Sequence, residues 1–181
     1  MAWFSLVRQL CAMFLDRTNI IVTGTVAAAV LYTKSSGVLY YALSTLVCAI
    51  GAKILKKIVR QARPPVEAAL RVKKSYGMPS THSASATFLA VYSVLACWSL
   101  PIHPSIPLSE SHRLIPIGII IPWAAAILIS RVRLGYHTWP QVVAGCSWGV
   151  LSAAVAFRLW IGGLNEYGRQ IDELVYPYWP Y

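Results

Sequence analysis

Five long apolar runs, separated by short polar or proline-containing connections, dominate the hydrophobic pattern of this chain. They are Asn19 to Thr33, Val38 to about Leu55, Thr81 to Leu100, Leu114 to Ile129 and Val142 to Trp160. A helix that crosses the hydrocarbon core needs about 20 predominantly apolar residues, so the pattern predicts five spans, the first of them short. Residues 3–15 differ: Ser5, Arg8, Gln9 and Asp16 gather on one helical face, and Trp3, Phe4, Val7, Leu10 and Phe14 lie elsewhere. That periodicity predicts an amphipathic helix on or obliquely in the membrane surface. Lys34-Ser35-Ser36-Gly37 reads as a tight turn. The second span is expected to run on as a basic helical end until Pro64-Pro65 stops it, and residues 65–79 form a polar, basic loop. Pro116 and Pro122 should bend the fourth span. The tail, Gly162 to Tyr181, mixes Glu166, Asp172 and Glu173 with aromatics and is expected along the interface. The fold class is therefore all-α: a polytopic transmembrane helix bundle of about five spans plus an N-terminal amphipathic helix. Residues 1–181 form one domain. With this parity the loops at 56–79 and 131–141 face the same side of the membrane.

Composition agrees. Of 181 residues, 57% are hydrophobic and 12% charged, against about 45–50% and about 25% in a soluble domain. The net charge of +10 would suggest nucleic acid in a soluble protein. Here much of it falls between residues 53 and 74, at the end of a span, so anionic lipid or phosphate is the expected partner and nucleic acid is not. Cys11, Cys48, Cys97 and Cys146 each lie in an apolar run with no CxxC pair. They have no metal-finger spacing.

Three short strings carry the chemistry: Lys56-x6-Arg63-Pro64, Pro79-Ser80-Thr81-His82 and Ser130-Arg131-x5-His137. On a continuous helix Lys53, Lys56, Arg60 and Arg63 would share one face. A row of cations there either snorkels to headgroups or lines an anion pocket. Arg offers bidentate phosphate contacts and Lys a point charge. Ser80 and Thr81 are good helix caps, and the unpaired N–H groups of a helix start favour an anion. Next to them, His82 can act as a general acid for a leaving oxygen or be an interfacial imidazole. Arg131 can reach a phosphate, and His137 Nε2 can attack phosphorus if its other nitrogen is protonated and held. Gln141, four residues on, could accept that N–H, yet Thr138-x-x-Gln141 also reads as a capping box. Both roles stay open. No cluster of Asp and Glu stands in these strings to hold a metal, and no cofactor is expected.

In order, the strings resemble the type 2 phosphatidic acid phosphatase family (PAP2), whose pattern is K-x6-RP, PSGH and SR-x5-H-x3-D. The first is matched fully, the second with Thr81 in place of Gly, the third with Gln141 in place of Asp. The wording YGMPSTHS and SRVRLGYHTWPQV is similar to the dolichyl-diphosphatase branch. The resemblance covers about residues 35–160 and implies a core like that of the vanadium haloperoxidases. It implies that His137 is a nucleophile forming a phosphohistidine, and that His82 is the acid and later the base. Lys56, Arg63 and Arg131 would bind phosphoryl oxygens, with Ser80 and Thr81 in the same cradle. The implied activity is metal-independent removal of the terminal phosphate of a polyprenyl (dolichyl) diphosphate. A broader lipid phosphatase or a silent lipid-phosphate-binding protein is the alternative. The positive-inside rule puts the motif side in the cytoplasm, whereas the resemblance implies the lumen of the endoplasmic reticulum. The lumen is the expectation adopted, because cations kept for phosphate are poor guides to topology.

Overall fold

A computed structural model of the chain describes residues 18–65, 75–101, 111–175 and 177. The amphipathic helix expected at 3–15 lies outside them, as do the centres of the 65–79 and 101–113 connections. The described elements are helical: α1 (Thr18–Thr33), α2 (Ser36–Val59), α3 (Thr81–Ser99), α4 (Ser111–Arg133), α5 (Trp139–Leu159) and α6 (Asn165–Val175). A kink at Trp160–Leu164 joins the last two. Helices thus occupy all five predicted runs. Among the described residues, three stretches are long and apolar enough to cross a membrane by themselves: Ser36–Val59, Arg113–Arg133 and Trp139–Val175.

The apolarity of α3 is lower for a structural reason. It is the central helix and packs against α2, α4 and α5, so its Ser, Thr and Ala residues meet protein instead of lipid. On one side Ala84, Phe88 and Tyr92 join Cys48 and Ala52 of α2 and Ala153, Ala156 and Phe157 of α5 in the main core. Tyr92 stands edge-on to Phe157, with ring centroids 5.5 Å apart. On another side Ala86 and Ala90 meet Ala124 and Ile127 of α4. Large apolar residues such as Leu46, Val47, Ile119 and Leu151 remain on the outside, as a bilayer requires.

Gly145 and Gly149 bring α5 against α3. A Cβ on Gly145 would come within 2.5 Å of the Ser80 carbonyl oxygen, and one on Gly149 within 2.5 Å of the Ala84 carbonyl oxygen. Small residues four apart let helix backbones approach closely in a membrane, and here they set α5 beside the first turns of α3.

One expectation fails. α2 ends at Val59 instead of continuing to Pro64: Arg60 adopts the left-handed conformation (φ 53°), and its N–H donates to Lys56 O. Lys53, Lys56, Arg60 and Arg63 therefore do not share one helical face. A residue before proline avoids the helical region, so Arg63 could not have continued the helix. The turn at Arg60 releases Gln61 to Pro64 as an extended strap.

At the other end, Ser35 caps α2 by accepting from the Gly37 N–H (3.2 Å), so the turn predicted at 34–37 is only Lys34-Ser35. Asp172 of α6 adds a second cap: Oδ1 accepts from the Ser36 N–H (2.8 Å) and Oδ2 from the Ser36 hydroxyl (3.0 Å). A carboxylate at a helix N-terminus is electrostatically favoured. Gly163 (φ 134°) turns the chain back, and Trp160 stacks on Tyr40 at 4.9 Å. The tail helix is thereby pinned to the end of the bundle opposite the three motifs.

Candidate active site

The C-terminal ends of α2 and α4 and the N-terminal ends of α3 and α5 converge at one end of the bundle. Each carries part of a motif, so the parity argument holds and the strings meet. Ser80, fully buried, caps α3. Its hydroxyl accepts from the Ser83 N–H (3.4 Å) and from the Ser83 hydroxyl (2.9 Å). Thr81 and His82, half-buried, form the first turn behind it. The Ser80 N–H donates to the Gln141 backbone carbonyl (2.9 Å), which bonds the second string to the third.

The third string folds tightly after α4. The N–H groups of Tyr136 and His137 both donate to Arg131 O, at 3.0 and 3.1 Å, and Gly135 turns the chain with φ 74°. This wraps the loop around Arg131, whose side chain is only 2% exposed. Its Nε donates to Ser130 Oγ (3.2 Å), and its guanidinium lies 5.0 Å from the Tyr136 ring centroid. Arg63 reaches in from the strap. Its Nε donates to Ser75 O (3.1 Å) and Ser75 Oγ (3.2 Å), and Nη1 donates to Tyr136 O (3.3 Å).

His137 is 4% exposed and Gln141 1%. His137 Nδ1 and Gln141 Oε1 are 3.1 Å apart, and the same oxygen accepts from the Thr138 N–H (3.3 Å). Gln141 Nε2 donates to Ala62 O (2.8 Å) and Gln61 Oε1 (3.0 Å). These partners fix the amide orientation: a backbone N–H only donates and a backbone carbonyl only accepts. The atom facing His137 is therefore the carbonyl oxygen, Nδ1 must carry the proton, and Nε2 is left with its lone pair. The two roles left open for Gln141 coexist, because one oxygen serves the helix start and the histidine together.

Burial first, and then the Arg63 guanidinium, push His137 down from its ordinary 6.5 to about 3. Lys56 and His82 act in the same direction, and the Gln141 hydrogen bond opposes them. The ring is neutral at physiological pH. A buried, neutral imidazole with a bare Nε2 beside Arg63 and Lys56 is suited to attack an anionic electrophile. The surrounding cations can hold the oxygens of that electrophile.

All eight residues singled out in the sequence gather here: Lys56, Arg63, Ser80, Thr81, His82, Arg131, His137 and Gln141. Sequence reasoning missed Gln61, Ser75, Gly77 and Tyr136. Gly77 packs flat on the Gln141 amide, where a Cβ would come within 2.6 Å of Cδ. A glycine two residues before Pro79 was the only available signal for it; Gln61 gave none.

Membrane-crossing helices with a cation-lined histidine site at one end define a polytopic helical membrane protein. The chain belongs to the PAP2 superfamily, whose sequence pattern matches residues 37–162. It is 32% identical over 131 residues to "Lipid phosphate phosphatase gamma" of Arabidopsis thaliana, covering 71% of this chain and 50% of that protein. It is 37% identical over 97 residues to "Dolichyldiphosphatase 1" of Dictyostelium discoideum, covering 54% of this chain and 41% of that protein. The chain thus spans about half the length, or less, of these curated relatives. Its fold is similar to a transmembrane PAP2-type phosphatidylglycerolphosphate phosphatase from Bacillus subtilis. The TM-score is 0.64 at 22% identity, over 92% of this chain and 79% of that one.

Proposed function

We propose that this chain is an integral membrane phosphatase that removes the terminal phosphate of a polyprenyl diphosphate through a phosphohistidine at His137. The reading rests on one observation above all: the Gln141 carbonyl holds the proton on Nδ1 and leaves Nε2 of a neutral ring bare. In the proposed reaction Nε2 attacks the terminal phosphorus while His82 protonates the departing bridging oxygen. Water, deprotonated by His82, then attacks the phosphohistidine and releases inorganic phosphate. Lys56, Arg63 and Arg131 bind the phosphoryl oxygens, with Ser80 and Thr81 at the start of α3 beside them, and the reaction needs no metal. The likeness to a dolichyldiphosphatase and the Gln at position 141 support a dolichyl-type substrate, handled at the lumenal face of the endoplasmic reticulum. The likeness to a lipid phosphate phosphatase supports the second reading, a broader enzyme acting on phosphatidate or short prenyl diphosphates.

Purified protein assayed in EDTA against dolichyl diphosphate, farnesyl diphosphate and phosphatidate tests both readings. The expected outcome is fastest phosphate release from dolichyl diphosphate. Acid quenching should destroy a trapped phosphoenzyme that survives in base, and His137→Ala should be inactive. Removing a charge-stabilising donor typically costs about 2.7–4 kcal/mol, so Arg63→Ala and Arg131→Ala should fall at least about a hundredfold. Activity that requires added Mg²⁺, or label on a residue other than His137, contradicts the mechanism.

A further inference from the structure

We propose that Gln61 and Gln141 form an amide clip that positions His137, and that position 141 requires an amide because its far side meets two oxygens. The inference rests on the phosphatase reading for its kinetic arm but is carried by the hydrogen-bond pattern. Gln141 faces His137 and Thr138 with its oxygen, and Ala62 O and Gln61 Oε1 with its nitrogen. A carboxylate could serve the first pair and would oppose the second with a negative charge. Gln61 is the other jaw. Its side chain takes the Gln141 N–H, and its backbone carbonyl accepts the Gly77 N–H (2.7 Å). This one residue, presented by the left-handed turn at Arg60, therefore joins the strap bearing Arg63, the loop leading to Ser80 and the amide that holds His137.

An uncharged clip also has an electrostatic consequence. It orients the ring while favouring imidazolium less than a carboxylate would, so burial, Arg63 and Lys56 keep His137 neutral. A carboxylate at 141 would raise the imidazole's affinity for a second proton and remove the lone pair that the clip exposes. Gln61 and Gln141 are positioning residues: Gln141 touches the ring and Gln61 touches its holder.

The test uses the full chain purified in detergent, with farnesyl diphosphate as the kinetic probe and ¹⁵N-histidine NMR as a readout independent of activity. Gln61→Leu should lower kcat by about three- to tenfold, the usual worth of one hydrogen bond, with KM near wild type. Gln61→Glu, which keeps an acceptor, should restore most of that loss. Gln141→Glu should lower kcat by more than about tenfold and move the acid limb of kcat/KM upward. In the spectra, wild-type His137 should carry its proton on Nδ1. Gln61→Leu should give a tautomer mixture, and Gln141→Glu should raise the imidazolium fraction at pH 6–7. Identical His137 signals in all four proteins would overturn the clip, whatever the kinetics. Altered signals in a protein that releases no phosphate, or whose His137→Ala variant still does, would uphold the clip and overturn the catalytic reading. Gln61 is exposed at the surface, so its variants report even if Gln141→Glu fails to fold.

Discussion

Burial and the surrounding cations both act against protonation of His137, and this gives the residue a signature in stability as well as in chemistry. Its folded pKa, about 3, lies below the ordinary value of 6.5. The unfolded chain therefore takes up a proton that the native ring refuses, and the native state loses stability as pH falls from about 6.5 toward about 3. Arg63, Lys56 and His82 supply the opposing charge. His137→Asn removes the titrating group and should flatten this response. Thermal unfolding in detergent at pH 7 and pH 5 should show a smaller drop in Tm for the variant than for wild type. An equal drop would assign the acid sensitivity elsewhere. At this scale the sequence named the groups that meet around His137, because their types and spacing form local patterns. It did not name Gln61, whose importance comes only from which oxygen it presents to Gln141.

Helix α3 has the least lipid-like sequence of the predicted spans and yet organises the bundle. Ser80, Ser83 and Ala84 line up against Gly145 and Gly149 of α5, and this close packing places the cap of α3 beside the holder of His137. Gly149→Leu should force the helices apart. Overpacking typically costs about 1–3 kcal/mol, and the displaced Ser80 to Gln141 bond should reduce phosphate release further. Gly118→Ala, on a helix face where a Cβ meets nothing within 4 Å, is the control and should leave both Tm and rate near wild type. If Gly149→Leu matched that control, the tight α3–α5 contact would not be what supports the site. The apolar runs were legible at this scale because lipid imposes them. The end of α2 was not, since only the hydrogen bonds made by Gln61 and Ala62 with the other two motifs show why the chain leaves the helix at Arg60. The cap that Asp172 places on α2 was hidden for the same reason: 136 residues separate it from Ser36.

For the whole molecule, the decisive property is that all three motifs occupy one end and the Asp172 cap the other. A lumenal site therefore predicts that the two ends are separated by the membrane. Tyr76 and Ser99, exposed at opposite ends of the α3 region, can be changed singly to Cys in a chain whose native cysteines are replaced. In sealed microsomes with the cytoplasmic face outward, an impermeant thiol reagent should label Ser99→Cys at once and Tyr76→Cys only after permeabilisation. The reverse order would place the site in the cytoplasm, as the positive charge near residues 53–74 suggests by itself. The sequence alone determined the helical class, the number and parity of the long runs and the eight residues that meet, because burial in lipid and the spacing of cationic, hydroxyl and imidazole side chains both leave local patterns. Tertiary structure alone decided where α2 stops, which nitrogen of His137 is bare, and why Gln141 serves where the family pattern has Asp. Those outcomes depend on hydrogen bonds between residues 61–62, 77, 80 and 141, partners too far apart in the chain for any local pattern to record.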